Sequence, residues 1–261
     1  MTVLAVIPAR LGATRLPRKP LRLLGGVPVV LRVYERVLAL GVADHCVVAT
    51  DADEVAEACR AAGAPVVMTA SDHPSGTDRV AEVARRPEFQ GHRVVLNVQG
   101  DEPFVAADAL LGAIRIVQSG LAPIGTAAAA ADRSVLDSPD VVKVVCTDDR
   151  QALYFSRAPI PFLRDAGDMA LQTPLVQQHI GVYAYTPEAL QQWVSWPAHP
   201  LELVERLEQL RPLAHGLRIG VATADALERG IDTEDDLTRA NQRWDALQTT
   251  ASAVPTPDVA R

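Results

Sequence analysis

Apolar residues recur along this chain with two periods, and the alternation between them outlines a fold. Val3-Leu4-Ala5-Val6-Ile7 is apolar on both faces and closed by Pro8, the pattern of a strand buried inside a parallel sheet. Gly25-Gly26 marks a turn and Pro28 suits a first helical position. Val30, Val33, Val37 and Leu40 then repeat at helical spacing until Gly41. A second strand is predicted over His45–Ala49, a helix over Asp53–Ala62 and a third strand over Pro65–Met68. A helix from about Asp78 to Arg86, stopped by Pro87, leads into a fourth strand, Val94–Val98. This βαβα order predicts a mainly parallel sheet.

After a helix over Ala107–Ser119 the alternation gives way to strands at Ile124–Ala130, Val141–Cys146 and Ile180–Tyr185. Helices over Pro187–Ser195 and Leu201–Leu210 precede a late strand, Leu217–Ala222, and a last helix, Thr233–Leu247. Residues 249–261 hold two prolines and no periodicity, so disorder is expected there. Residues 1–248 read as one domain without internal repeats, and 261 residues with 48% hydrophobic content suffice for one large core.

Charge changes the picture. The protein carries −7 overall, yet Met1–Tyr34 contains six cations (Arg10, Arg15, Arg18, Lys19, Arg22, Arg32) and no acid. Five of them fall in the Pro-rich stretch that follows the first strand. In an open α/β sheet that stretch lies at the carboxyl edge, where ligands bind, so an anion is the expected occupant. The net acidity argues against nucleic acid or an anionic membrane as partner, since both need an extended basic surface. Cys46, Cys59 and Cys146 are widely spaced and suggest neither a disulfide framework nor a zinc site. The N-terminus has no signal-peptide pattern and no apolar run approaches the ~18 residues of a membrane span. A cytoplasmic protein is expected.

No Walker or dinucleotide glycine motif follows a strand. A triphosphate held by guanidinium, ammonium and loop N–H groups remains the alternative. Asp101 ends the fourth strand, within reach of a phosphate-bound metal, or is a plain turn residue before Pro103. Asp232 or Thr233 fits the N-cap of the last helix. Asp51-Ala52-Asp53 superficially matches a glycosyltransferase D-x-D but reads as a cap for the helix starting at Glu54. His45 and His92 flank strands and read as surface or loop residues.

Six ordered strings carry a resemblance over residues 3 to 245. They are Pro8–Leu21, Ser71–Arg79, Asn97–Pro103, Tyr154–Pro161, His179–Tyr183 and Leu207–Arg211, with Gly230–Thr233 following. Together they are similar to the signatures of the 3-deoxy-manno-octulosonate (Kdo) cytidylyltransferases, also called CMP-Kdo synthetases. The resemblance implies a Rossmann-like α/β fold, a mainly parallel mixed sheet of the nucleotide-diphosphosugar transferase type. It also implies transfer of CMP from CTP to the anomeric hydroxyl of Kdo, with Mg²⁺ and without a covalent intermediate.

By the same resemblance Arg10, Thr14, Arg15 and Lys19 line the CTP phosphates, and Asp101 and Asp232 hold the metal. Pro8, Ala9, Ser75, Gly76 and Arg79 surround cytosine. Arg157 pairs with the sugar carboxylate, and Gln99, His179, Tyr183 and Glu208 meet its hydroxyls. Taken singly, Arg157 could instead cover a strand end, Tyr183 could be core and Glu208 the exposed face of a helix. The loop departs from the family at Ala13, where Ser is usual, and at Arg18, where Gly is usual. The family is usually dimeric, and residues 177–196 are the expected interface. Activation of 8-amino-Kdo or a sialic acid, a metal-dependent glycosyltransferase using Asp51 and Asp53, and a nucleotide-sensing module without turnover are the rival readings.

Overall fold

The computed structural model describes residues 1–12, 15–165, 175–225 and 230–252. The first strand, β1 (Val3–Ala9), is buried along nearly its whole length because both its faces are covered. Val3, Ala5, Ile7 and Ala9 join one core and Leu4 and Val6 the other, the period-2 division of a strand between two layers. The first core is closed by α1 (Val29–Leu40), α2 (Asp53–Ala61) and α4 (Ala107–Gln118), the second by α3 (Gly76–Ala84) and α5 (Pro187–Ser195).

A small hairpin, β2 (Leu23–Leu24) with β3 (Val27–Pro28), precedes α1, which ends at Gly41 in the left-handed conformation. The strands β4 (His45–Thr50), β5 (Val66–Met68) and β6 (Val94–Asn97) run parallel to β1. The remaining strands are β7 (Ile124–Ala130), β8 (Lys143–Cys146), β9 (Ala152–Ser156), β10 (Gln177–Tyr185) and β11 (Ile219–Ala224). Across the main sheet the order is β11-β7-β10-β6-β1-β4-β5, with β8 and β9 attached beside β10. Along that seven-strand path β10 runs against its neighbours β6 and β7, whereas β11 and β7 are again parallel; β8 is antiparallel to both β10 and β9. The expected Rossmann-like, mainly parallel mixed sheet is therefore present. Because β4 and β6 flank β1 on opposite sides, the order reverses at β1, and the crevice beyond its carboxyl end is the natural ligand site.

Several elements differ from the sequence expectation. β9 was not expected; its Ala152, Phe155 and Ser156 are buried while Leu153 is exposed, and so short an alternation gives little signal. The helix expected over Leu201–Leu210 is two, α6 (Pro200–Glu205) and α7 (Leu210–Ala214). Arg206 separates them with φ of 56°, so Glu208 lies in the break and not on a helix face. The last helix, α8 (Glu234–Ser252), continues into the segment expected to be disordered; the rest of that segment, residues 253–261, lies outside the described residues.

β10 is paired along both edges and α5 turns Ala189, Leu190 and Trp193 into the core. The stretch expected as a dimer interface is therefore partly internal, with Glu188, Gln192 and Ser195 of α5 left exposed. Large exposed apolar side chains occur instead at Leu153, Phe162 and on α6 at Leu201, Leu203 and Val204. His92 lies in the loop before β6 as expected but is buried, its Nε2 2.8 Å from His45 Nδ1, so it is not a surface residue. No described helix is long and apolar enough to cross a membrane.

Candidate active site

A cavity of about 430 Å³ opens beyond the carboxyl ends of β1 and β6. Two backbones of its lining approach closely: a Cβ on Gly100 would sit 2.7 Å from the Pro8 carbonyl oxygen, so only glycine fits. Pro8 and Ala9 end β1 there, and Arg10, Arg15 and Lys19 follow on the loop. Thr14 and Ala13 lie outside the described residues.

One ammonium organises this end. Lys19 Nζ donates to Asp101 and, at 3.0 Å, to Asp232 Oδ1; Arg15 Nη2 lies 3.1 Å from Asp232 Oδ2. The partners are 82 and 213 residues from Lys19 in sequence. Burial lowers the Lys19 pKa, and the two carboxylates outweigh that, leaving it raised. Asp232 is free to point inward because Thr233 and Asp236 cap α8. Thr233 Oγ1 accepts from the Asp236 N–H at 3.2 Å, and Asp236 Oδ2 accepts from the N–H groups of Thr233 and Asp232 at 2.9 and 3.2 Å. The choice between Asp232 and Thr233 as cap is thereby decided for Thr233.

Glu102 was not singled out from sequence, although it stands in the Asn97–Pro103 string. Burial, then the neighbouring Asp101 and Asp232, push its carboxyl up to about 8. It packs against Gly230, where an added Cβ would lie 3.6 Å from its Cγ, and against Gly181 of β10. The donor set fits a divalent cation: two carboxylates from distant segments already converge on one positive charge, and both are oxygen ligands of the kind Mg²⁺ takes.

The other end of the cavity is built by α3. Ser75 caps the helix, its Oγ accepting from Asp78 N at 3.3 Å and donating to Asp78 Oδ2 at 2.7 Å. Gly76 follows against the Pro8 ring. Arg79, one turn on, is 3% exposed; its Nη1 donates to Thr69 Oγ1 and Ala70 O, and its Nη2 lies 3.3 Å from Asp51 Oδ1. Asp51 therefore faces a guanidinium. Ala52 is the N-cap of α2 and no side chain caps that helix, so the expected Asp51–Asp53 cap is absent. Gln99 and Glu208 complete the lining, with His73, which sequence reasoning also missed although it stands in the Ser71–Arg79 string. Thr77 Oγ1 donates to Glu208 Oε2 at 2.9 Å, and burial raises the Glu208 pKa.

Three expected sugar-binding residues are not among those lining this cavity. Arg157 donates through Nε to Glu205 O and through Nη1 to Pro139 O, both at 2.9 Å. His179 is pushed down to about 3 by burial, and its Nε2 lies 2.9 Å from Thr126 Oγ1. Because that hydroxyl donates to Val182 O at 2.7 Å, it accepts from an Nε2–H, which assigns the neutral tautomer. Tyr183 is buried against His179, Tyr185 and Trp193, and its hydroxyl has no hydrogen-bond partner among the described residues. Arg18 points away, pairing with Glu54 on the surface.

Residues 4–219 match the cytidylyltransferase family model. A 3-deoxy-manno-octulosonate cytidylyltransferase of Gemmatimonas aurantiaca is 73% identical over 97% of this chain and 98% of its own. One of Wolinella succinogenes is 43% identical over 90% and 96%. The structure of a CMP:2-keto-3-deoxy-manno-octonic acid synthetase complexed with CTP superposes with a TM-score of 0.85 at 35% identity, covering 96% of this chain and all of that one. A glucose-1-phosphate thymidylyltransferase of Bacillus anthracis, at 12% identity and a TM-score of 0.64, shares the fold alone. With the family model matching most of the chain and a relative 73% identical over 97% of it, the chain belongs to the 3-deoxy-manno-octulosonate cytidylyltransferase family.

Proposed function

We propose that this protein transfers CMP from CTP to the anomeric hydroxyl of Kdo, releasing pyrophosphate and giving CMP-Kdo for lipopolysaccharide synthesis. The observation that carries the reading is the convergence of Lys19, Asp101 and Asp232 in the cavity beyond β1 and β6. Arg10, Arg15 and Lys19 orient the triphosphate and offset charge developing on pyrophosphate, which is most of what phosphoryl-type transfer asks of a protein. The sugar hydroxyl attacks the α-phosphate in line, so the enzyme supplies position and charge and needs no covalent intermediate. Asp101 and Asp232 would hold Mg²⁺, which when bound supplies Lewis-acid charge at the α-phosphate and the attacking oxygen.

Gln99 and Glu208 meet the sugar hydroxyls from within the cavity. Arg157 reaches the sugar carboxylate by exchanging two carbonyl acceptors for a charged one, a stronger partner for a guanidinium. The Tyr183 hydroxyl and the Nδ1 of neutral His179 supply further polar atoms on that side.

Residues 1–248 act as one domain, in the cytoplasm, and two copies associate through the face bearing Leu203 and Val204, 53% and 83% exposed. Light scattering of Val204→Glu against wild type tests that association. Pyrophosphate release with CTP and Mg²⁺ tests the reaction, comparing Kdo, 8-amino-Kdo and N-acetylneuraminate, with ATP, GTP and UTP as controls. Release with CTP and Kdo alone is the expected result. Release with another sugar acid moves the substrate, and no release with any of them overturns the assignment.

A further inference from the structure

Asp51 stands behind the cavity wall: it touches Arg79, which lines the cavity, and is not itself part of the lining. It follows β4 directly, and its Oδ1 is buried with no hydrogen-bond partner among the described residues, 3.3 Å from Arg79 Nη2. Arg79 is the most deeply buried cation of the cavity, and its contacts form a three-sided cradle: the Thr69 hydroxyl and the Ala70 carbonyl on Nη1, the Asp51 carboxylate on Nη2. The two hydrogen bonds use both Nη1 hydrogens, and Asp51 adds a charge contact at Nη2. Of the five guanidinium N–H groups, those of Nε and Nη2 remain for a ligand.

We infer that Asp51 is a positioning residue that sets nucleobase selection by fixing Arg79 as a pair of donors of nearly cancelled charge. The inference rests on the cytidylyltransferase reading. Two cations in one cavity face different tasks. Lys19 neighbours carboxylates that a metal would take over, which leaves its charge available to phosphates. Arg79 keeps its own buried counter-ion, so it has little net charge with which to compete for a triphosphate and is suited to a neutral partner. Cytosine presents two adjacent acceptors, O2 and N3, whereas uracil presents O2 beside an N3–H donor. Fixed guanidinium donors match the first and leave an N–H facing an N–H in the second, the kind of unpaired buried polar contact that discriminates strongly. Without the Asp51 charge the guanidinium is free to turn toward the triphosphate, which CTP and UTP share.

The test is equilibrium titration of wild type, Asp51→Asn and Asp51→Glu with CTP and with UTP in Mg²⁺ buffer without sugar acid, paired with the steady-state KM for Kdo. Asp51→Asn is expected to weaken CTP at least about tenfold while leaving UTP within about twofold, so that the CTP/UTP ratio collapses. Asp51→Glu should keep most of that ratio, and the KM for Kdo should be unchanged in both. An Asp51→Asn protein that keeps the wild-type ratio overturns the inference alone. A wild type that binds UTP as well as CTP overturns the cytidine reading with it. Should Asp51→Asn fail to fold, Thr69→Val removes an acceptor on Nη1 and carries the same test, with an unchanged ratio again overturning the inference.

Discussion

The loop after β1 and the region built by β8–β10 with α6 both hold buried or half-buried cations, and they treat them oppositely. At the loop, Lys19 and Arg15 meet carboxylates brought from far along the chain, in a cavity open to ligand. In the second region Lys143 is fully buried and donates to three carbonyl oxygens, those of Ser138, Val141 and Arg157. Arg211 is locked to the buried Glu202 carboxylate at 2.5 and 2.7 Å. A cation facing exchangeable carboxylates is poised for another anion. A cation satisfied by backbone carbonyls, or by a carboxylate buried with it, fixes local geometry. The first region should fail in chemistry and the second in stability.

Asp101→Asn should give the largest effect, a loss of at least about 100-fold in kcat for pyrophosphate release, with the melting temperature nearly unchanged. Asp232→Asn should do the same, and the double variant should lose far less than the product of the two losses, because the residues act as a unit. A variant that lost stability in place of rate would erase the contrast between the regions.

Glu202→Gln should break the second region. Leaving Arg211 buried beside a neutral amide costs about 3–5 kcal/mol, read from the urea midpoint, while the KM for CTP of the folded fraction stays near wild type.

Glu102 stands where the two regions meet. In the folded protein without metal its carboxyl stays protonated up to about pH 8, against an ordinary value of 4.5. Its contribution to stability is therefore complete below pH 4.5 and is lost as pH rises through 8. In EDTA, Glu102→Gln should unfold at nearly the wild-type urea midpoint at pH 4 and at a clearly higher one at pH 8. An equal gap at both pH values would show that the residue is not held protonated.

The smallest effect belongs to Arg18→Gly. Arg18 has φ of 58°, a conformation glycine adopts freely, and its ion pair with Glu54 is exposed. The KM for CTP should stay within about twofold, and the melting temperature should hold or rise by about a degree or two. A large rise in KM would place Arg18 on the phosphates after all.

The parallel half was legible in the residues because a doubly covered strand must be apolar throughout: β1, β4 and β6 stand within one or two residues of their expected bounds. β7 and α5 match residue for residue. The second half was less legible. β9 is short, and the break at Arg206 depends on a left-handed residue that no glycine announces. Of the expected site residues among those described, the ones on the β1 loop, α3 and the end of β6 line one cavity, whereas Arg157, His179 and Tyr183 are not in its lining.

What the chain's residues determined alone was the alternation of layers, the cationic loop at the carboxyl edge and the motifs that name the family. Each is local, written within a run of contiguous residues. What only the tertiary structure decided was which carboxylate meets which cation: Asp101 and Asp232 with Lys19, Asp51 with Arg79, Glu202 with Arg211. Charge pairing acts across space at a few ångströms, and the Lys19–Asp232 pair spans 213 residues of chain. The same Asp can cap a helix, bind a metal or orient an arginine, and the burial and neighbours that the fold imposes select among them.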